Sequence, residues 1–177
     1  MTRSFVFVDT EPDRWESVAG AISGLENVVY ACSLDGASDV YALIESNAPQ
    51  KVAYTVSNKI NRLDYVNNSF VLAEARKVRE PSPIQLPEGM RRARVLMTAK
   101  TCHFDQLMSA LEAFPSEKLK IEEISVVHGH YDVSLGVIAP SGMINGSGIE
   151  GLTSLPDVES YNSMRERYRY VRMLQQW

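Results

Sequence analysis

The chain has 177 residues, of which 45% are hydrophobic, 23% charged and 8% aromatic, enough for one ordinary domain or two small ones. That composition excludes extended disorder and a disulfide-dense scaffold, and makes a packed core the default. Lysine and arginine number 18 against 22 aspartate and glutamate, a formal charge of -4, so the basic footprint of phosphate-backbone recognition is missing and no direct DNA binding is expected.

Residues 4–9 (SFVFVD) read as a short strand, and Trp15, Val18, Ala19, Ile22 and Leu25 recur at helical spacing over residues 13–25. Pro12 suits a first helical turn, and Asp13 with Glu16 has capping-box spacing. Two β-rich runs, 28–34 and 39–45, are joined by Asp35-Gly36-Ala37-Ser38, which predicts a hairpin. Pro49 opens a second helical pattern through Val52, Ala53, Val56, Ile60 and Leu63, and a further strand is predicted at 69–76. The order is β-α-β-β-α-β.

Residues 79–90, with Pro81, Pro83, Pro87 and Gly89, read as a semi-rigid connector. The pattern then returns. A strand is predicted at 94–99, and Phe104, Leu107, Met108 and Leu111 lie 89 positions after Trp15, Val18, Ala19 and Ile22. A second hairpin, 121–127 with 132–138, places Gly129, Asp132 and Val133 at an offset of 93 from Gly36, Asp39 and Val40. Gly142, Gly146, Gly148 and Gly151 fall where the first half carries its uninterrupted helix, and each interior glycine costs about 1 kcal/mol relative to alanine. A loop over 142–151 with at most a short helix near 149–155 is expected, then a last strand at 165–174. The expected domains are a first module at 1–78, a linker at 79–90 and a second module at 91–177.

This order predicts an α+β protein of two tandem ferredoxin-like modules, each an antiparallel sheet with its helices on one face, in a pseudo-dimeric arrangement of the dimeric α/β-barrel type with facing sheets. In the second half, Gly129-His130-Tyr131-Asp132 and Leu155-Pro156-Asp157-Val158 stand at a turn and at a helix-to-strand corner. The first half has Gly36-Ala37-Ser38-Asp39 and Leu63-Asp64-Tyr65-Val66 instead, without the turn tyrosine and the corner proline. Both modules therefore resemble the ligand-binding domain of the Lrp/AsnC family, the regulators of amino-acid metabolism, the second more closely than the first. With the first strand beginning near Ser4, no room is expected for that family's helix-turn-helix. The resemblance implies a small-molecule effector such as an amino acid, bound at the turn: Gly129, His130, Tyr131 and Asp132 at the better site, and Gly36, Ser38 and Asp39 at a degenerate twin. It also implies a homo-oligomer, or association with full-length relatives.

Other constellations are weaker. His128 and His130 with Asp132 have ligand chemistry for a divalent metal but lack a fourth partner, so neither metal nor cofactor is expected. Arg165, Arg167 and Arg169 alternate with Tyr168 and Tyr170, which in a strand separates the two sets and suits pairing with Glu74 or Glu166 better than nucleic acid. Cys32 and Cys102 have neither zinc nor disulfide spacing and read as small buried hydrophobes. The run Phe5 to Val8 is too short for a secretory signal and no apolar stretch reaches a membrane span of about 20 residues, so a cytoplasmic protein without membrane association is expected. No nucleophile elbow, phosphate loop or dinucleotide fingerprint is present. The preferred expectation is a non-catalytic ligand-binding and assembly module. Its alternatives are a dimeric α/β-barrel enzyme, monooxygenase-like or haem-processing, and a structural partner with degenerate effector sites.

Overall fold

The computed structural model describes residues 2–79, 86–115, 119–144 and 147–171. They divide into two compact units, residues 2–74 with 166–171 and residues 75–165. The first unit contains β1 (Thr2–Thr10), α1 (Trp15–Ser23), β2 (Val28–Asp35), β3 (Val40–Ser46), α2 (Pro49–Asn58), a 3-10 turn at Ile60–Arg62 and the start of β4 (Val66–Arg79). Its strands pair antiparallel in the order β4-β1-β3-β2. The second unit contains β5 (Met90–Ala99), α3 (Phe104–Glu112), β6 (Lys120–His128), β7 (Val133–Pro140), α4 (Ser147–Thr153) and most of β8 (Val158–Val171). Its order, β8-β5-β7-β6, is the same. Both are ferredoxin-like sheets, and the α+β class expected from the sequence is observed.

Strand alternation divides each sheet between two environments. In the first unit Val6 and Val8 of β1 join Ala31, Val40, Ala42 and Ile44 in a core completed by Val18, Ala19 and Ile22 of α1 and Val52 and Val56 of α2. In the second unit Val95 and Met97 of β5 meet Leu107, Met108 and Leu111 of α3, with Ile149 and Leu152 of α4 closing the core. The glycine-rich segment retains a seven-residue helix, which buries Ile149 and Leu152, while Ile144 ahead of it joins the same core. Among the described residues no helix is long and apolar enough to cross a membrane.

The entry to each first helix differs from the capping box expected at Asp13. Asp13 has φ 62° and the helix begins after Arg14, without a side-chain cap. The Glu11 amide donates to the Tyr65 carbonyl and the Arg14 amide to the Glu11 carbonyl, at 2.9 and 3.2 Å, so the chain must turn through a left-handed residue at Asp13. The second unit repeats this. Lys100 donates to Asp157 and His103 to Lys100, both at 2.9 Å, and Cys102 takes φ 65°. Cys102 is consequently exposed on the turn, whereas Cys32 is buried as expected.

The hairpin turns are built alike as well. The Asp39 amide donates to the Val8 carbonyl at 3.1 Å and its Oδ2 accepts from the Thr10 amide at 2.7 Å, fastening the turn to the end of β1. The Asp132 amide donates to Met97 and its Oδ2 accepts from the Ala99 amide, both at 2.9 Å, fastening the other turn to β5. A hydrogen bond to a charged acceptor contributes about 1.5–3 kcal/mol. Asp39→Ala and Asp132→Ala should each lower stability by about that amount, with the Asn variants losing less because they keep an acceptor oxygen. Urea unfolding followed by circular dichroism measures both.

Candidate functional site

The sequence-predicted turn residues do not share one environment. Gly129, His130 and His128 are exposed, Tyr131 and Asp132 are half-buried, Gly36 is exposed, and Ser38 is buried. The two aspartates each spend one carboxylate oxygen on a backbone amide. Tyr131 is drawn onto the sheet, where its hydroxyl accepts from Asn162 Nδ2 on β8. Next to Asn162 along the strand face, Ser160 Oγ lies 2.5 Å from Thr98 Oγ1. Among the described residues no group of three His, Cys, Asp or Glu side chains converges as a metal site.

Tyr131 and Asn162 mark one end of a polar sheet face that the sequence reading missed. Opposite its helices, the second sheet carries Arg92 and Arg94 of β5, Ser134 and Gly136 of β7, and Glu122, Glu123 and Ser125 of β6. Consecutive residues of a regular strand point to opposite faces, so Glu122 and Glu123 should diverge. A β-bulge prevents that: Ile121 pairs with Val137 and Glu123 with Gly136, leaving Glu122 as the extra residue. Both carboxylates then meet the arginines, which are two apart on one face of β5. Arg92 Nε donates to Glu122 Oε1 at 2.7 Å, and Arg94 pairs with Glu123.

The second pair must cross a strand, because β7 lies between β5 and β6. Arg94 and Glu123 both stand opposite Gly136, and a Cβ there would lie 3.1 Å from Glu123 Cβ and 3.2 Å from Arg94 Nη1. The absent side chain is the channel through which the guanidinium reaches the carboxylate. Both side chains are 1% exposed, and Arg92 keeps 12%. Among the described residues, Glu122 Oε2 and Ser134 Oγ are buried without a hydrogen-bond partner.

The first sheet has different chemistry at the same register. Phe5, Leu43 and Tyr30 stand opposite one another where the second has Arg94, Gly136 and Glu123. Phe7 stacks on Phe70 with centroids 4.9 Å apart, and Tyr41 lies 5.2 Å from Phe7 and 5.7 Å from Tyr30. At its β1 end, Arg3 pairs with Glu74 at 3.2 Å. Of the basic strand expected at 165–174, Arg167 pairs with Asp35 at 3.3 Å and lies over the Trp15 ring at 5.2 Å, so its partner is neither Glu74 nor Glu166. The side chains of Tyr168, Arg169 and Tyr170 lie outside the described residues.

No family model matches the sequence, and a search of curated proteins finds no match. Solved structures do match. The siroheme decarboxylase NirDL, in complex with an iron-uroporphyrin III analogue, aligns over 94% of this chain and 71% of its own with a TM-score of 0.63 at 9% identity. A candidate monooxygenase from Fusobacterium nucleatum aligns over 97% of this chain and 94% of its own, with a TM-score of 0.61 at 7% identity. AsnC of E. coli aligns over 49% of this chain and 55% of its own, with a TM-score of 0.40 at 15% identity. The expectation of a non-catalytic protein is corrected by these matches: the fold shared over nearly the whole chain is one that a siroheme decarboxylase also has, so it does not mark the chain as non-catalytic. That expectation rests on the resemblance to a ligand-binding domain and on the lack of local catalytic motifs, whereas the charged groups above meet only through strand pairing.

Breaking one partner of a buried ion pair leaves an uncompensated charge. Arg94→Leu or Glu123→Leu alone should destabilise by about 3–5 kcal/mol, and the double variant by less than either. Gly136→Ala should lose about 1–3 kcal/mol through overpacking. Denaturant titration of the four variants tests the crossing.

Proposed function

We propose that the chain is an enzyme acting on a carboxylate-bearing small molecule, at the polar face of the second sheet and its adjoining turn. The observation that carries this reading is the contrast between the two sheets. Aromatic and aliphatic residues fill the register positions in the first sheet that Arg94, Gly136 and Glu123 hold in the second, so the fold does not demand buried charge at that crossing, although Arg3, the counterpart of Arg92, is buried against Glu74. Replacing a buried ion pair by apolar residues is often neutral or stabilising. The Arg94–Glu123 pair, buried across a strand beside Arg92 and Glu122, therefore calls for a reason other than stability.

The groups suit decarboxylation, the reaction named for NirDL. A guanidinium holds a carboxylate through paired N–H donors, and Arg92 is the more accessible of the two. When the bond from carbon to the carboxylate breaks, carbon dioxide leaves, the electron pair stays on carbon, and a proton must replace the lost group. Glu122 Oε2, which has no hydrogen-bond partner among the described residues, is the carrier we assign to that proton. Tyr131 and Asn162, with Gly129, His130 and Asp132 at the turn, are assigned to substrate orientation.

The recurring strand order and turn bonds also support reading the units as copies of one Lrp/AsnC-type module. A second reading, binding of an amino-acid effector at the turns with a change in self-association, is supported by the exposure of Gly129 and His130 beside half-buried Tyr131. Carbon dioxide release from a carboxylate panel that includes siroheme separates the two. Wild type should turn over at least one member, and Glu122→Gln should lose about 100-fold or more while folding normally. Turnover that survives Glu122→Gln removes the assigned proton carrier, and an absence of turnover alongside calorimetric binding of an amino acid replaces the enzyme by the sensor.

A further inference from the structure

The helical side of the first unit holds a cleft of about 330 Å³ between the turn that follows α1 and the face of α2. The turn contributes Leu25, Glu26 and Asn27, the helix contributes Lys51 and Tyr54 among others, and Lys59 follows the helix end. Its volume is at the lower end of the range of small-molecule sites. Two cations and one anion face this space, yet neither lysine forms an ion pair with Glu26, and among the described residues none of the side chains of Glu26, Asn27, Lys51, Tyr54 and Lys59 makes a hydrogen bond. Tyr54 is 58% exposed, a large aromatic surface left to water beside those charges.

Opposite charges that share a cleft without meeting leave a gap that a ligand of complementary polarity can span. The cleft is built by the first unit, from Lys51 and Tyr54 of the ten-residue α2 and Lys59 just beyond its end. We propose that it binds a small aromatic carboxylate carrying a hydroxyl or amine at its far end. Lys51 and Lys59 attract the carboxylate, Tyr54 and Leu25 cover the ring, and Glu26 accepts from the far donor. This site is separate from the polar sheet face, and the proposal does not depend on the activity assigned there.

The test is titration of the full chain, labelled with nitrogen-15, with 4-hydroxybenzoate, 4-aminobenzoate and benzoate, followed by amide shifts. The expected result is saturable shifts confined to residues 25–27 and 50–59, with the two donor-bearing ligands binding several-fold more tightly than benzoate. Lys51→Ala with Lys59→Ala should weaken all three at least fivefold, and Glu26→Gln should narrow the difference between donor-bearing ligands and benzoate. Each substitution is on the surface, so the spectrum itself reports whether the fold is intact. Shifts that do not saturate, that fall elsewhere, or that are unchanged in the lysine double variant overturn the proposal, as does equal affinity for all three ligands.

Discussion

A β-strand buried on both faces must serve two environments at once, and that constraint governs most of this molecule. Along β1, Val6 and Val8 belong to the helix-side core while Phe5 and Phe7 face the other way, and all four are fully buried. Along β5, Val95 and Met97 take the first role, and Arg94 and Leu96 the second. The helix-side set is nearly interchangeable between the units, because it answers only to volume and hydrophobicity. The opposite set is where they diverge.

That divergence depends on two backbone devices. A bulge lets Glu122 and Glu123 share a face that strict alternation would deny them, and Gly136 opens the path by which Arg94 reaches across β7. The first sheet carries the same kind of bulge between Val28 and Tyr30 but fills the crossing point with Leu43. One backbone thus supports an aromatic lining and an ionic one. The difference between them resides in side chains alone, which is why the ionic set invites a chemical rather than an architectural account.

The hairpin turns illustrate how a motif can be legible and its role still depend on the fold. The recurrence of glycine and aspartate at Gly36, Asp39, Gly129 and Asp132 is plain in the sequence. In each turn the aspartate accepts from an amide at the end of the first strand of its unit, so part of the carboxylate expected to serve a ligand is occupied structurally. Tyr131, present only in the second turn, is tied instead to Asn162 on β8. Its partner is 31 residues away, and no local pattern announces it.

The sequence by itself determined the number and order of the elements, the α+β class, the hairpins and the shortened fourth helix, because these follow from local hydrophobic period, turn chemistry and glycine content. It also carried the corner residues Leu63 and Leu155, whose carbonyls accept from Val66 and Val158 at 3.4 and 3.1 Å. Tertiary structure alone decided that Asp13 is a left-handed turn residue rather than a cap, that Cys102 is exposed, and that Arg94 meets Glu123. The first two depend on carbonyls supplied by Tyr65 and Asp157, far along the chain. The third depends on register across three strands and on one extra residue in β6. Local pattern records which face a residue prefers, whereas the partner it finds there is set by pairing between segments that the sequence keeps apart.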